Sequence, residues 1–115
     1  MSDTHQDTQR GLFVVRYNYN DNTEAREQAL PAHESFLRGL QTTGDLALGG
    51  PLVDEPGVHA MLIVRATSLE DARELLAQDP MLTAKVLESR EITGFIPAFG
   101  GGVQSPKAGH VAPRS

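Results

Sequence analysis

The chain has 115 residues, 15 acidic against 10 basic, a formal charge of −5 and no cysteine. That length carries one domain, and basic residues scattered singly give no concentrated cationic face for nucleic acid. The lack of cysteine excludes disulfides, thiolate nucleophiles and cysteine-ligated zinc or iron–sulfur sites, and no apolar run fits a secretion signal or a membrane span, so the expectation is a cytoplasmic protein.

Residues 1–10, MSDTHQDTQR, hold one apolar side chain, and residues 100–115, GGGVQSPKAGHVAPRS, are rich in Gly, Pro and Ser. Both are expected to be disordered tails around a folded core at 11–99. A core of this size buries only about 60–65% of its unfolded surface, so self-association would add burial that it needs.

The first element is a strand, LFVVRYNY at 12–19, with Phe13, Val15, Tyr17 and Tyr19 on one face and Leu12, Val14, Arg16 and Asn18 on the other. DNTEAREQALPAHESFLRGLQTTG at 21–44 follows, with cap residues at its start, Gly44 at its end, and Ala29, His33, Phe36, Leu37 and Leu40 at helical spacing. Pro31 either opens the main helix after a separate turn or sits inside a longer, kinked one.

DLALGGPL at 45–52 reads as a short strand ending in Gly49, Gly50 and Pro51, VDEPG as a turn, and VHAMLIVRA at 58–66 as a strong third strand, together a hairpin. Ser68 with Asp71 three residues on resembles a capping box, and Leu69, Ala72, Leu75 and Leu76 form the stripe of a second helix ending at Asp79-Pro80. PMLTAKVLES adds a short helical turn, and REITGFIPAF at 90–99 a fourth strand.

The order β-α-β-β-α-β is that of an α+β, ferredoxin-like antiparallel sheet with both helices on one face. Strand three is apolar on both faces, with Met61 and Ile63 on one and Ala60, Leu62 and Val64 on the other. Two helices cover one face only, so the other is expected to pack on a second copy in a homodimer.

His33 is the polar member of an apolar helical stripe, and leaving it unsatisfied in a core would cost roughly 1–3 kcal/mol. Asp79 follows Ala72 and Leu76 at spacings of seven and three, which places it on the buried stripe near the end of the second helix. A carboxylate there is opposed by the helix dipole by roughly 0.3–1 kcal/mol, a cost that a histidine partner offsets. A carboxylate on one imidazole nitrogen fixes the tautomer and leaves the other nitrogen to take or give a proton. No G-x-S-x-G elbow completes a triad, so proton abstraction, elimination or isomerisation fits better than acyl transfer.

Three stretches, AREQALPAHESFL with Arg26 and His33, GDLALGGPL, and SLEDARELLAQDP with Asp79 and Pro80, resemble the YciI-like, YCII-related proteins over about Leu12 to Phe99. The resemblance implies a ferredoxin-like dimeric α+β barrel and an active-site His/Asp pair, here His33 and Asp79. It also implies a lyase-like role, since one relative is a dehydrochlorinase acting on a chlorinated hydroxyquinol. Many relatives carry arginine three residues before the histidine, where this chain has Leu30. Arg26, Arg16 and Arg65 are the candidates for that charge.

Arg26, Gly49, Gly50 and Pro51 are the candidate substrate-binding residues, the glycines because they let a ligand approach the backbone. His5 and His110 lie in the tails and the register of His59 is open, so no three-histidine metal site is expected, nor any cofactor. Two readings stand: a cofactor-free lyase, dehydrochlorinase or isomerase with His33 as general base, and a non-catalytic dimeric module binding a small molecule or a protein, with the dyad structural.

Overall fold

A computed structural model describes residues 10–100. The elements run β1 (Gly11–Tyr19), α1 (Thr23–Thr43), β2 (Leu46–Leu52), β3 (His59–Ala66), α2 (Leu69–Leu75), α3 (Pro80–Thr83) and β4 (Leu87–Phe95). The strands form one antiparallel sheet in the order β2-β3-β1-β4, the ferredoxin-like arrangement, with α3 an additional turn between α2 and β4. None of the described helices is long and apolar enough to cross a membrane.

Alternation along β1 sorts its side chains as the sequence predicts. Val15 and Tyr17 are fully buried in one cluster with Leu62, Val64 and Ala66 of β3, Ala72 of α2, and Leu76, Met81 and Val86. The opposite face of the sheet carries Val14 beside Ile63, and Met61 beside Arg16. Arg16 there is ion-paired with Glu55 at 2.7 Å.

Asn22 caps α1 by accepting from the Ala25 amide at 3.2 Å, and Gly44 closes it in a left-handed conformation, φ 86°. The helix runs unbroken through Pro31, which has no N–H to give the Glu27 carbonyl. Its one buried residue is His33, while Ala29, Phe36, Leu37 and Leu40 are only partly covered. The helix therefore rests on the sheet without closing against it midway, and a cavity lies beneath.

Three expectations are corrected. β4 starts at Leu87 and stops at Phe95, because the left-handed Lys85 (φ 60°) turns the chain into it early and Pro97 can donate no ladder hydrogen bond. Gly49, Gly50 and Pro51 do not end β2 but lie within it, paired with Leu62, Met61 and Ala60. An edge strand tolerates the proline, and Gly49 is needed because a Cβ there would stand 2.7 Å from Leu62 Cδ2. Finally, α2 ends at Leu75, so Asp79 lies beyond it.

The expected disordered tails fall outside the described residues, apart from Arg10 and Gly100 at their inner ends; Arg10 pairs with Asp45 at 2.7 Å. His5 and His110 fall outside as well.

Candidate active site

Asp79 is the N-cap of α3, in extended conformation (φ −60°, ψ 126°), with Pro80 at the first helical position. The proline holds the preceding residue out of helical geometry, which is what a cap requires. The dipole argument made from sequence therefore changes sign, since the carboxylate faces the positive end of a helical turn and accepts from the Met81 amide at 3.0 Å.

The carboxylate is completely buried and takes three donors. Oδ1 accepts from Met81 N and lies 2.7 Å from His33 Nδ1, and Oδ2 accepts from the Tyr17 hydroxyl at 2.7 Å. A buried carboxylate is tolerable only when its lone pairs are filled in this way. Burial, then the Asp79 charge and its hydrogen bond, push the Tyr17 hydroxyl well above the ordinary tyrosine range. The charge of Arg90, the cross-strand neighbour of Tyr17, pulls the other way; its Nη1 is buried with no hydrogen-bond partner among the described residues.

With Nδ1–H donated to Asp79, the neutral His33 ring carries its lone pair on Nε2. That nitrogen has no protein partner among the described residues, and His33 lines the cavity under α1. The cavity has a volume of about 380 Å³, within the range of small-molecule sites. Leu30, Leu37, Val58, Leu62 and Met81 give it apolar walls, and Tyr19, Arg26, Glu27 and Glu34 add polar groups.

The candidate residues read from sequence fall in two shells. Arg26, Gly49, Gly50, Pro51 and His33 all line this cavity, and Asp79 stands behind His33. Of the three arginines considered in place of Leu30, only Arg26 reaches it. Arg16 holds Glu55, and Arg65 donates to the Gly44 carbonyl at 2.7 Å. His59 is a wall residue whose two ring nitrogens each lie 2.7 Å from a protein oxygen, Asn18 Oδ1 and the Pro56 carbonyl.

Two tyrosines escaped the sequence reading. β1 alternation places Tyr17 and Tyr19 on the covered face, and a covered hydroxyl needs a partner as His33 does, which was the available signal. The rings meet edge to face, centroids 6.2 Å apart, and the Arg26 guanidinium lies 5.6 Å over Tyr19.

A four-stranded ferredoxin-like sheet, with a buried carboxylate–imidazole pair beside an apolar cavity, defines a small α+β domain of ferredoxin-like class. The chain matches the model of the YCII-related domain over residues 12–96 and belongs to that family.

Among solved structures it is similar to the 5-chloro-2-hydroxyhydroquinone dehydrochlorinase of Burkholderia phenoliruptrix AC1100, in complex with 2,5-dihydroxybenzoquinone. Identity is 18% and the TM-score 0.65, over 74% of this chain and 93% of that one. It is similar also to SnoaB, a cofactor-independent oxygenase from Streptomyces nogalater (18%, TM-score 0.51, 80% and 96% covered). A third is a dimeric protein of unknown function and ferredoxin-like fold from Bacteroides fragilis (12%, TM-score 0.50, 75% and 94% covered). At these identities the likeness is one of fold. Comparison with curated proteins finds no match.

Proposed function

We propose that the protein is a small cofactor-independent enzyme that moves a proton on a small organic substrate, by an elimination of the dehydrochlorinase type or by isomerisation. The observation carrying this reading is the division of the His33 ring, with Nδ1 on a buried carboxylate and Nε2 open to the cavity. Asp79 orients the ring and stabilises the imidazolium that forms when Nε2 takes a proton. Arg26 offers the positive charge for an ionised or ionising oxygen, and Gly49, Gly50 and Pro51 form the wall against which the substrate lies. The apolar patch of Val14, Met61 and Ile63 packs on a second copy, a reading supported by the dimeric relative of the same fold.

Turnover tests this reading, with chlorinated hydroxyhydroquinones as first substrates because of the structurally similar dehydrochlorinase. His33→Gln and Asp79→Asn should lower kcat at least about 100-fold, the usual range for a general base. Wild-type rates in both variants would refute it.

One observation favours a second reading. Asp79 joins Tyr17, Met81 and His33 whatever the cavity holds, so the dyad has structural value in a non-catalytic binding module. Stability loss does not separate the readings; turnover does.

A further inference from the structure

We propose that Tyr19 is the hydrogen-bond-donating partner of His33: its hydroxyl meets the oxygen of an enolisable carbonyl substrate whose acidic C–H proton is taken by His33 Nε2. This rests on the reading of His33 as a base and names both a further catalytic residue and a substrate class.

Tyr17 and Tyr19 sit two residues apart on one face of β1, yet their hydroxyls have different fates. The Tyr17 hydroxyl donates a hydrogen bond to Asp79 Oδ2. The Tyr19 hydroxyl has no hydrogen-bond partner among the described residues, and Tyr19 lines the cavity that His33 lines. The Arg26 guanidinium, 5.6 Å from the ring centroid, holds one face of the ring.

Burial and then the charge of Asp79 push the Tyr19 hydroxyl up to about 12, with Arg26 opposing them. At neutral pH it is therefore a donor and never a base. The Tyr19 ring stands 6.2 Å, centroid to centroid, from that of Tyr17, whose hydroxyl is bonded to Asp79, so Tyr19 lies beside the dyad. One cavity thus holds a lone pair that accepts and a hydroxyl that donates, the division of roles that acid–base chemistry on a carbonyl requires.

In the step itself, the C–H electron pair forms a carbon–carbon double bond and the carbonyl π pair moves to oxygen. The oxygen takes a hydrogen bond from Tyr19, and the proton rests on His33. Isomerisation needs a β,γ-unsaturated carbonyl: the dienolate oxygen pair re-forms the carbonyl, the new α,β double bond stays in conjugation, and the former β,γ π pair takes the proton from His33 at the γ carbon. Elimination instead expels a leaving group with its bonding pair, and His33 later gives the proton to water. The apolar walls and the volume of about 380 Å³ suit a planar, ring-sized compound.

The test uses 4-nitrophenolate, a planar oxyanion that mimics the enolate, and neutral 4-nitroanisole as control. The chain has two tyrosines, so ring-carbon NMR signals are assigned with one Phe variant. Binding of the phenolate should move the Tyr19 and His33 signals, and Tyr19→Phe should weaken it about tenfold, or 1.4 kcal/mol, while anisole binding stays the same. Tyr19→Phe keeps the ring and removes no protein hydrogen bond, so it should fold as the wild type does. Equal phenolate affinity in both proteins, with His33 signals moving in both, overturns the assignment of Tyr19 and leaves the proposed function standing. No response of either residue to the phenolate removes this inference together with the cavity as a ligand site.

Discussion

Replacing Tyr17 by Phe keeps the ring and deletes one donor to a fully buried carboxylate. A hydrogen bond to a charged group is worth about 1.5–3 kcal/mol. At the entropy of unfolding of a domain near 90 residues, this corresponds to a melting point lower by roughly 10 °C at neutral pH. The alkaline limb gives a second, independent number.

Tyr17 is raised in the folded protein, so above pH 10 the unfolded chain gives up its phenolic proton while the folded protein keeps it. The unfolded state then binds fewer protons, and stability falls with pH by about 1.4 kcal/mol per unit for this group. Tyr17→Phe removes that slope. The gap of about 2 kcal/mol between wild type and variant at pH 7 should therefore close near pH 11.5 to 12. Urea unfolding at pH 7, 9, 10, 11 and 12, followed by circular dichroism, measures both. Equal stability at pH 7, or a gap that stays constant to pH 12, would refute the account of Tyr17 as a protonated donor locked to Asp79.

Gly49→Ala sets a methyl 2.7 Å from Leu62 Cδ2 and 3.2 Å from the Met61 carbonyl, so thermal unfolding should show a loss of about 1–3 kcal/mol, whereas Gly50→Ala, with no atom within 4 Å, should sit near wild type. Met61→Asp places a charge at a half-buried position on the sheet face turned away from the helices, and in size-exclusion chromatography with light scattering it should turn the proposed dimer into a monomer. A wild type that elutes as a monomer removes the proposed assembly.

The strands and α1 are readable in the sequence because their apolar residues keep clean periods of two and 3.6. The His33–Asp79 pairing is readable too, through the cost of a polar residue on a covered stripe. The local setting of Asp79 is not, because the stripe Ala72, Leu76, Asp79 continues in register past the real end of α2 at Leu75. Asp79-Pro80 fits a helix end and a helix start equally well, and only the chain's turn into α3 decides between them. Nor does periodicity tell that α1 stands off the sheet around His33. That gap goes with the small residues facing it, Gly49 and Ala60, which come from two different strands.

The threefold use of the Asp79 carboxylate bears on how such a protein diversifies. A residue that caps a turn, anchors a tyrosine and holds a histidine is fastened by folding itself, and drift away from any one substrate would still retain it. The cavity walls are under no such restraint: Leu30 and Val58 stand about two-fifths exposed, and Gly50 has open space where its side chain would be. Under the proposed function, new specificities would therefore arise by repainting the walls around an unmoved dyad, through changes that cost the fold almost nothing.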